Sequence, residues 1–212
     1  MTPVEKFFAA VKEGDLKELK ELLSLQPDLA TIRSEGATAL HFAVIHNHRD
    51  IVDLLLTNGA NPEAVDDEFE ATPIGWANEA GHTEMVNYLY ERGTHVGFFQ
   101  AAAFGLTERI RQLIDENISE INILQGYGTP LHAAALWAHP LIVQILLNHD
   151  ADPAMRNMYG MTALEIAQQQ VSSNGDATPL VNAGRRKEIV DDCKLIVEIL
   201  DDWLKKTSEE SK

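Results

Sequence analysis

T-P-L-H-A-A, Thr129 to Ala134, is one of four versions of the same six residues. The others are T-A-L-H-F-A from Thr38, T-P-I-G-W-A from Thr72 and T-A-L-E-I-A from Thr162. Aliphatic runs follow the first three: D-I-V-D-L-L-L from Asp50, E-M-V-N-Y-L-Y from Glu84 and L-I-V-Q-I-L-L from Leu141. Two further segments, Phe7–Leu23 and Phe98–Ile114, lack the threonine but keep the rest. The shared alanines are Ala10, Ala43, Ala77, Ala101, Ala134 and Ala167, spaced 33, 34, 24, 33 and 33. A period of this length marks a repeat architecture, in which each unit is one supersecondary element stacked on its neighbours.

Local chemistry says what the unit is. Thr72-Pro73 and Thr129-Pro130 place a hydroxyl at an N-cap and a proline at the first helical position, where its missing N–H costs nothing. Ile51, Leu54 and Leu55 recur at helical spacing and give the second helix one buried face. Gly59 and Gly93 stand where that helix ends, because glycine enters the left-handed conformation cheaply. One such unit cannot bury its own apolar face, so neighbours must stack into a solenoid.

The pattern T-P-L-H-x-A, the Gly81-His82 step, the aliphatic run and G-A-N-P at Gly59–Pro62 together resemble the ankyrin repeat family, over roughly residues 3–170. The resemblance implies an all-α ankyrin-repeat solenoid of six antiparallel helix pairs, with atypical first and last units and short hairpin or loop fingers between them. It also implies that His41 and His132 hydrogen-bond between hairpins, and that His48, His82 and His139 serve the step between helices. Family function is protein recognition, so a non-catalytic binding module without a cofactor is expected.

Six units fill nearly all of the 212 residues, so one domain is expected over 1–206. The last repeat is extended by a loop near 171–185 and a long amphipathic helix carrying Ile189, Cys193, Ile196, Leu200 and Trp203 on one stripe. Residues 207–212 read as a disordered tail. With 17 Lys+Arg against 33 Asp+Glu the net charge is −16, which disfavours nucleic acid and anionic membranes and favours a basic protein partner. One cysteine, Cys193, fits a reducing compartment, and the cytoplasm is the default. A monomer is favoured.

The spacing of 24 between Ala77 and Ala101 is nine residues short of 33. Both flanking helices are intact in sequence, so the finger between repeats three and four is missing and Thr94–Gly97 serves as a plain link. In ankyrin repeats, partners are gripped by the fingers and by the two positions after the shared alanine. Those positions are polar at both ends of this chain, Lys12 and Glu13 at one and Gln169 and Gln170 at the other, but carry Phe104, Leu136 and Trp137 in repeats four and five, with Phe69, Tyr127, Met158, Tyr159 and Met161 in adjacent fingers. Aromatic clusters of this kind carry most of the energy of interfaces. The concave face is therefore the expected partner site, and Glu63, Asp66, Asp67 and Glu68 form an acidic finger that is either a solvated loop or a guide for basic groups. Packing around the missing finger is the competing role for Phe104 and Trp137.

Two other functions fit the same letters. A small enzyme or metal-dependent hydrolase would use the notch between repeats three and five, with His46, His95 or Glu79 as its polar groups. An acidic structural subunit would neutralise a basic component of an assembly. Repeat periodicity accounts for every histidine of the His41–His48 cluster except His46, and Cys193 lies on an apolar stripe, so neither carries a catalytic constellation.

Overall fold

In a computed structural model of the chain, residues 2–173 and 186–210 are described. Within them lie twelve α-helices and very little sheet, and the helices fall into the six pairs that the period predicts. The chain divides into two compact units, Met1–His95 and Val96–Lys212. The division falls inside the Thr94–Gly97 link, where the period runs short.

The first unit holds three pairs: α1 (Pro3–Glu13) with α2 (Leu16–Leu25), α3 (Ala39–Ile45) with α4 (Arg49–Thr57), and α5 (Pro73–Glu79) with α6 (Thr83–Glu91). Thr2 caps α1 in a reciprocal box with Glu5, and Gly14 closes it in the left-handed region at φ 83°. A two-residue hairpin, β1 (Arg33–Ser34) with β2 (Ala37–Thr38), forms the first finger, pairing Arg33 with Thr38 and Ser34 with Ala37. The inner helices α1, α3 and α5 lie side by side in chain order. Phe7, Leu40, Ile51, Leu55, Ile74, Met85 and Leu89 are fully buried between the layers. Edge-to-face ring contacts run Phe7–Phe8–Phe42–Trp76 with centroids 5.7, 5.7 and 5.9 Å apart, giving the inner row a continuous aromatic spine.

The second unit repeats the plan: α7 (Phe98–Ala103) with α8 (Thr107–Asn117), α9 (Pro130–Leu136) with α10 (Pro140–Leu147), and α11 (Ala163–Ser172) with α12 (Arg186–Glu210). Ala101, Ala102, Ala133, Ala134, Ala135 and Ala167 are all buried, and these small side chains let α7, α9 and α11 approach closely. Ile189, Cys193, Ile196 and Leu200 bury the predicted stripe of α12, which packs on α10 and α11. The expected loop lies, from residue 174 onward, outside the described residues. At the other end α12 continues to Glu210, past residue 207 where the sequence suggests a disordered tail. Thr207 is held there by its hydroxyl, which donates to the carbonyls of Trp203 and Leu204.

Histidines lock one repeat to the next. His48 and His82 each bring Nε2 to a carbonyl of the preceding inner helix, Lys12 O at 3.2 Å and Ile45 O at 2.9 Å. His139 does the same to Ala103 O at 3.2 Å within the second unit. These imidazoles press on the turn beneath them: a Cβ at Gly14 would lie 2.9 Å from His48, and one at Gly105 2.8 Å from His139.

Candidate interaction site

The site grows out of the T-P-L-H motif of α9. The backbone N–H of Thr129 donates to His132 Nδ1 at 3.1 Å, so Nδ1 is the unprotonated nitrogen and the proton sits on Nε2. That Nε2–H donates to the carbonyl of Met161 at 3.0 Å, in the next finger. Burial, offset in part by bonds to backbone, holds the His132 pKa below its ordinary value, which fits a neutral ring. His41 repeats the arrangement in the first unit, accepting from Thr38 N at 3.3 Å and donating to Ala71 O at 3.0 Å.

The finger that receives His132 is shaped by Asn157. Its Oδ1 accepts the N–H groups of Tyr159 and Met161 at 2.9 and 3.0 Å. Its own N–H bonds Met161 O at 2.9 Å, and Gly160 takes the left-handed turn at φ 74°. Met158 N then donates to Tyr127 O at 3.3 Å, tying this finger to the one before it. Tyr127 packs edge-to-face on Phe99, centroids 5.3 Å apart.

These constraints bring Tyr127, Tyr159 and Met161 around one cavity of about 260 Å³. Its inner wall is Leu136 at the end of α9 and Ile166, Gln169 and Gln170 on α11. Gln170 is a buried polar side chain, 1% exposed. Its Nε2 donates to Leu136 O at 3.2 Å, and its Oε1 has no protein partner.

Three of the five residues proposed for this unit from sequence, Tyr127, Leu136 and Tyr159, thus meet at one place. Phe104 and Trp137 do not line the cavity. Each is the C-cap of its helix and each is half-buried, so neither joins the fully buried core nor stands clear of it. The Trp137 indole N–H is buried without a partner. Met161, also read from sequence as a finger residue of this surface, lines the cavity too. Sequence reasoning missed Asn157 and Ile166 as site residues. It also read Gln169 and Gln170 as a polar end of the array, although they occupy the register positions of Leu136 and Trp137.

The acidic finger of the first unit is two different things. Asp66, proposed as a contact residue, is 4% exposed and faces inward. Its carboxylate accepts from Glu68 N, Phe69 N, Ala71 N and Trp76 Nε1 at 2.9, 2.7, 3.1 and 2.9 Å. Burial alone would raise its pKa, but these four donors outweigh burial and hold the carboxyl below the usual range. Asp66 is therefore the organiser of the finger, as Asn157 is of its own. Glu63, Asp67, Glu68 and Phe69 do point to solvent, Phe69 at 71% exposure. Asp67 pairs with Arg33 at 2.5 Å and Glu63 accepts from His95 N at 2.8 Å.

The residues of the hydrolase alternative have other partners. His46 stacks on His48 with centroids 6.0 Å apart. His95 contributes its backbone to Glu63, and the Glu79 carboxyl is pushed up by burial and by Asp66. Among the described residues no three His, Cys, Asp or Glu side chains gather as metal donors would. Burial, with Asp192 nearby, raises the Cys193 thiol to about 11, so it stays protonated and unreactive. Among the described residues no helix is long and apolar enough to cross a membrane.

A family model described as ankyrin repeats (3 copies) matches the sequence twice, over residues 7–97 and 98–191. Among curated relatives, the chain is 38% identical over 84 residues to the palmitoyltransferase Hip14 of Drosophila melanogaster, covering 40% of the chain and 13% of the relative. It is 30% identical over 205 residues to the putative palmitoyltransferase ZDHHC13 of Danio rerio, covering 76% and 32%. A probable E3 ubiquitin-protein ligase of rice, XBOS32 of Oryza sativa subsp. japonica, is 27% identical over 187 residues, covering 86% and 32%. The chain thus spans about a third or less of the length of each.

Proposed function

Because the chain belongs to the ankyrin-repeat family, whose repeats serve protein–protein interaction, we propose that it is a non-catalytic recognition module gripping its partner through the finger and inner-helix face of its second unit. The observation that carries this is the convergence of Tyr127, Leu136 and Tyr159, from three separate segments, on one apolar cavity beneath exposed fingertips. Tyr159 and Met158 are 72% and 68% exposed, and Ile123 and Leu124 add 51% and 55% in the preceding finger. Large apolar side chains held out on rigid fingers are the raw material of an interface. Palmitoyl transfer and ubiquitin ligation are unrelated chemistries, and the relatives named for them share with this chain only a stretch that here is repeat array. The shared stretch supports binding rather than either reaction.

On this reading Glu63 and Glu68, with Asp67 already paired to Arg33, supply a screened acidic field that speeds the approach of a basic partner without holding it. A reducing cytosolic setting suits the inert, buried Cys193.

Affinity capture from a lysate of the encoding organism tests the proposal, with wild type beside Tyr159→Ala and Glu68→Ala after melts show all three folded. A partner held by wild type and Glu68→Ala but lost by Tyr159→Ala supports the groove. Loss with Glu68→Ala alone would move the working surface to the acidic finger and leave an electrostatic role in its place.

A further inference from the structure

The cavity is uncharged in a chain of net charge −16. Its lining residues with polar side chains are Asn157, Gln169, Gln170, Tyr127 and Tyr159, and none of its lining residues is acidic or basic. A lysine or arginine head would leave water here for a wall without a counter-charge, which is costly. The walls are otherwise aromatic or soft, with Tyr127, Tyr159 and the Met161 thioether, surfaces suited to an aromatic ring. At about 260 Å³ the volume lies under the roughly 300–1,000 Å³ of sites that enclose whole drug-sized ligands, and has room for one large side chain.

One wall residue is incomplete. Gln170 commits its nitrogen to Leu136 O, which fixes Oε1 as the free acceptor, and that oxygen is buried without a partner. An unmet buried acceptor is unfavourable, and because Gln170 lines the cavity, a small turn of its carboxamide would bring Oε1 to an occupant that carries a donor.

We propose that this cavity is a socket for a tryptophan or tyrosine side chain of the partner segment, the ring seated between Tyr127, Tyr159 and Met161 and its N–H or O–H donated to Gln170 Oε1. The inference rests on the interaction-module reading above and names the side chain that the groove selects. It also separates two tasks along the molecule: the acidic finger acts on charge during approach, and the socket discriminates on shape and on one neutral hydrogen bond.

The test uses the full chain, isotope-labelled, titrated in separate NMR experiments with indole, 1-methylindole and n-butylammonium. Indole is expected to shift the Gln170 carboxamide and the Ile166 methyl resonances saturably. 1-Methylindole, which keeps the ring and lacks the donor, is expected to bind about five- to tenfold more weakly, the ratio one hydrogen bond supplies. n-Butylammonium is expected to leave those resonances in place. In Gln170→Met the two indoles should bind alike; if that variant does not fold, the wild-type ratio decides alone. Equal binding of the two indoles, saturable binding of n-butylammonium, or no shift at Gln170 and Ile166 overturns the socket. If the indoles bind equally while partner capture still depends on Tyr159, the interaction module stands and only the socket falls.

Discussion

His132 donates its Nε2 proton across 3.0 Å to the carbonyl of Met161, whose side chain is a wall of the cavity. The residue that most clearly marks the repeat in sequence is therefore also the residue that positions the finger beside the cavity. His41 makes the same bond to Ala71 in the first unit. The cavity is built on the lattice that holds the repeats together.

Stability should decline on mild acidification for this reason. Burial lowers the pKa of both His41 and His132 from the ordinary 6.5, so between the folded and unfolded values the unfolded chain binds more protons. Their contribution is present above about pH 6.5 and is lost as pH falls through the folded values. Melting midpoints recorded from pH 8 to pH 5 should fall below pH 6.5, and His132→Gln should flatten that slope. A midpoint that stays constant across the interval would mean both rings accept a proton in the fold.

Asp66 and Glu68 differ by two positions and share a charge, yet should behave oppositely. Removing Asp66 strands four donors, so Asp66→Ala should cost about 2–4 kcal/mol in urea unfolding, given charged hydrogen bonds of about 1.5–3 each with partial rescue by water. Asp66→Asn should cost less, since one amide oxygen can keep two of the four donors, as Asn157 Oδ1 does. Glu68→Ala should fall within about 0.5 kcal/mol of wild type. The Asp66 contribution is present above its unfolded pKa near 3.8 and is lost as pH falls through its lower folded value, well below the histidine window.

Leu55 is fully buried and Leu55→Ala should cost about 2–5 kcal/mol. Trp137 is only half-buried and its indole N–H is unpartnered, so Trp137→Ala should cost less than Leu55→Ala in the same assay. Equal costs would make Trp137 a packing residue around the shortened link rather than part of a surface.

The Cys193 thiol, raised to about 11 and fully buried, should resist a disulfide reagent at pH 8 in the native protein. Adding denaturant should release one equivalent rapidly. Prompt native labelling would show that α12 opens from α10 and α11.

The helices, their caps and the short link were legible in the sequence because each follows from local rules: Thr-Pro at a start, glycine at an end, apolar residues at helical spacing. The second finger is irregular, with Glu70 in the turn glycine's place at φ 53°. The cavity was legible only in part. Tyr127, Leu136 and Tyr159 announce themselves as aromatics or aliphatics at contact positions. Gln170 does not, because its importance comes from a bond to Leu136, 34 residues away. Asp66 was misread because composition treats the carboxylates of an acidic run alike. The distinguishing signal was position: Asp66 lies six before Thr72 and Asn157 five before Thr162, the same place once the extra residue is allowed for.

That extra residue has a further meaning. Asp66 N bonds Ala71 O, whereas Asn157 N bonds Met161 O, so the insertion is contained within one closed loop of hydrogen bonds. On either side of it, the helix pairs α3–α4 and α5–α6 keep the same plan. A finger closed at its base by one Asx residue is thus a cassette: its tip can change length or chemistry while the array beneath it stays in register. Evolution, or an engineer, can rewrite the surface of such a molecule one finger at a time.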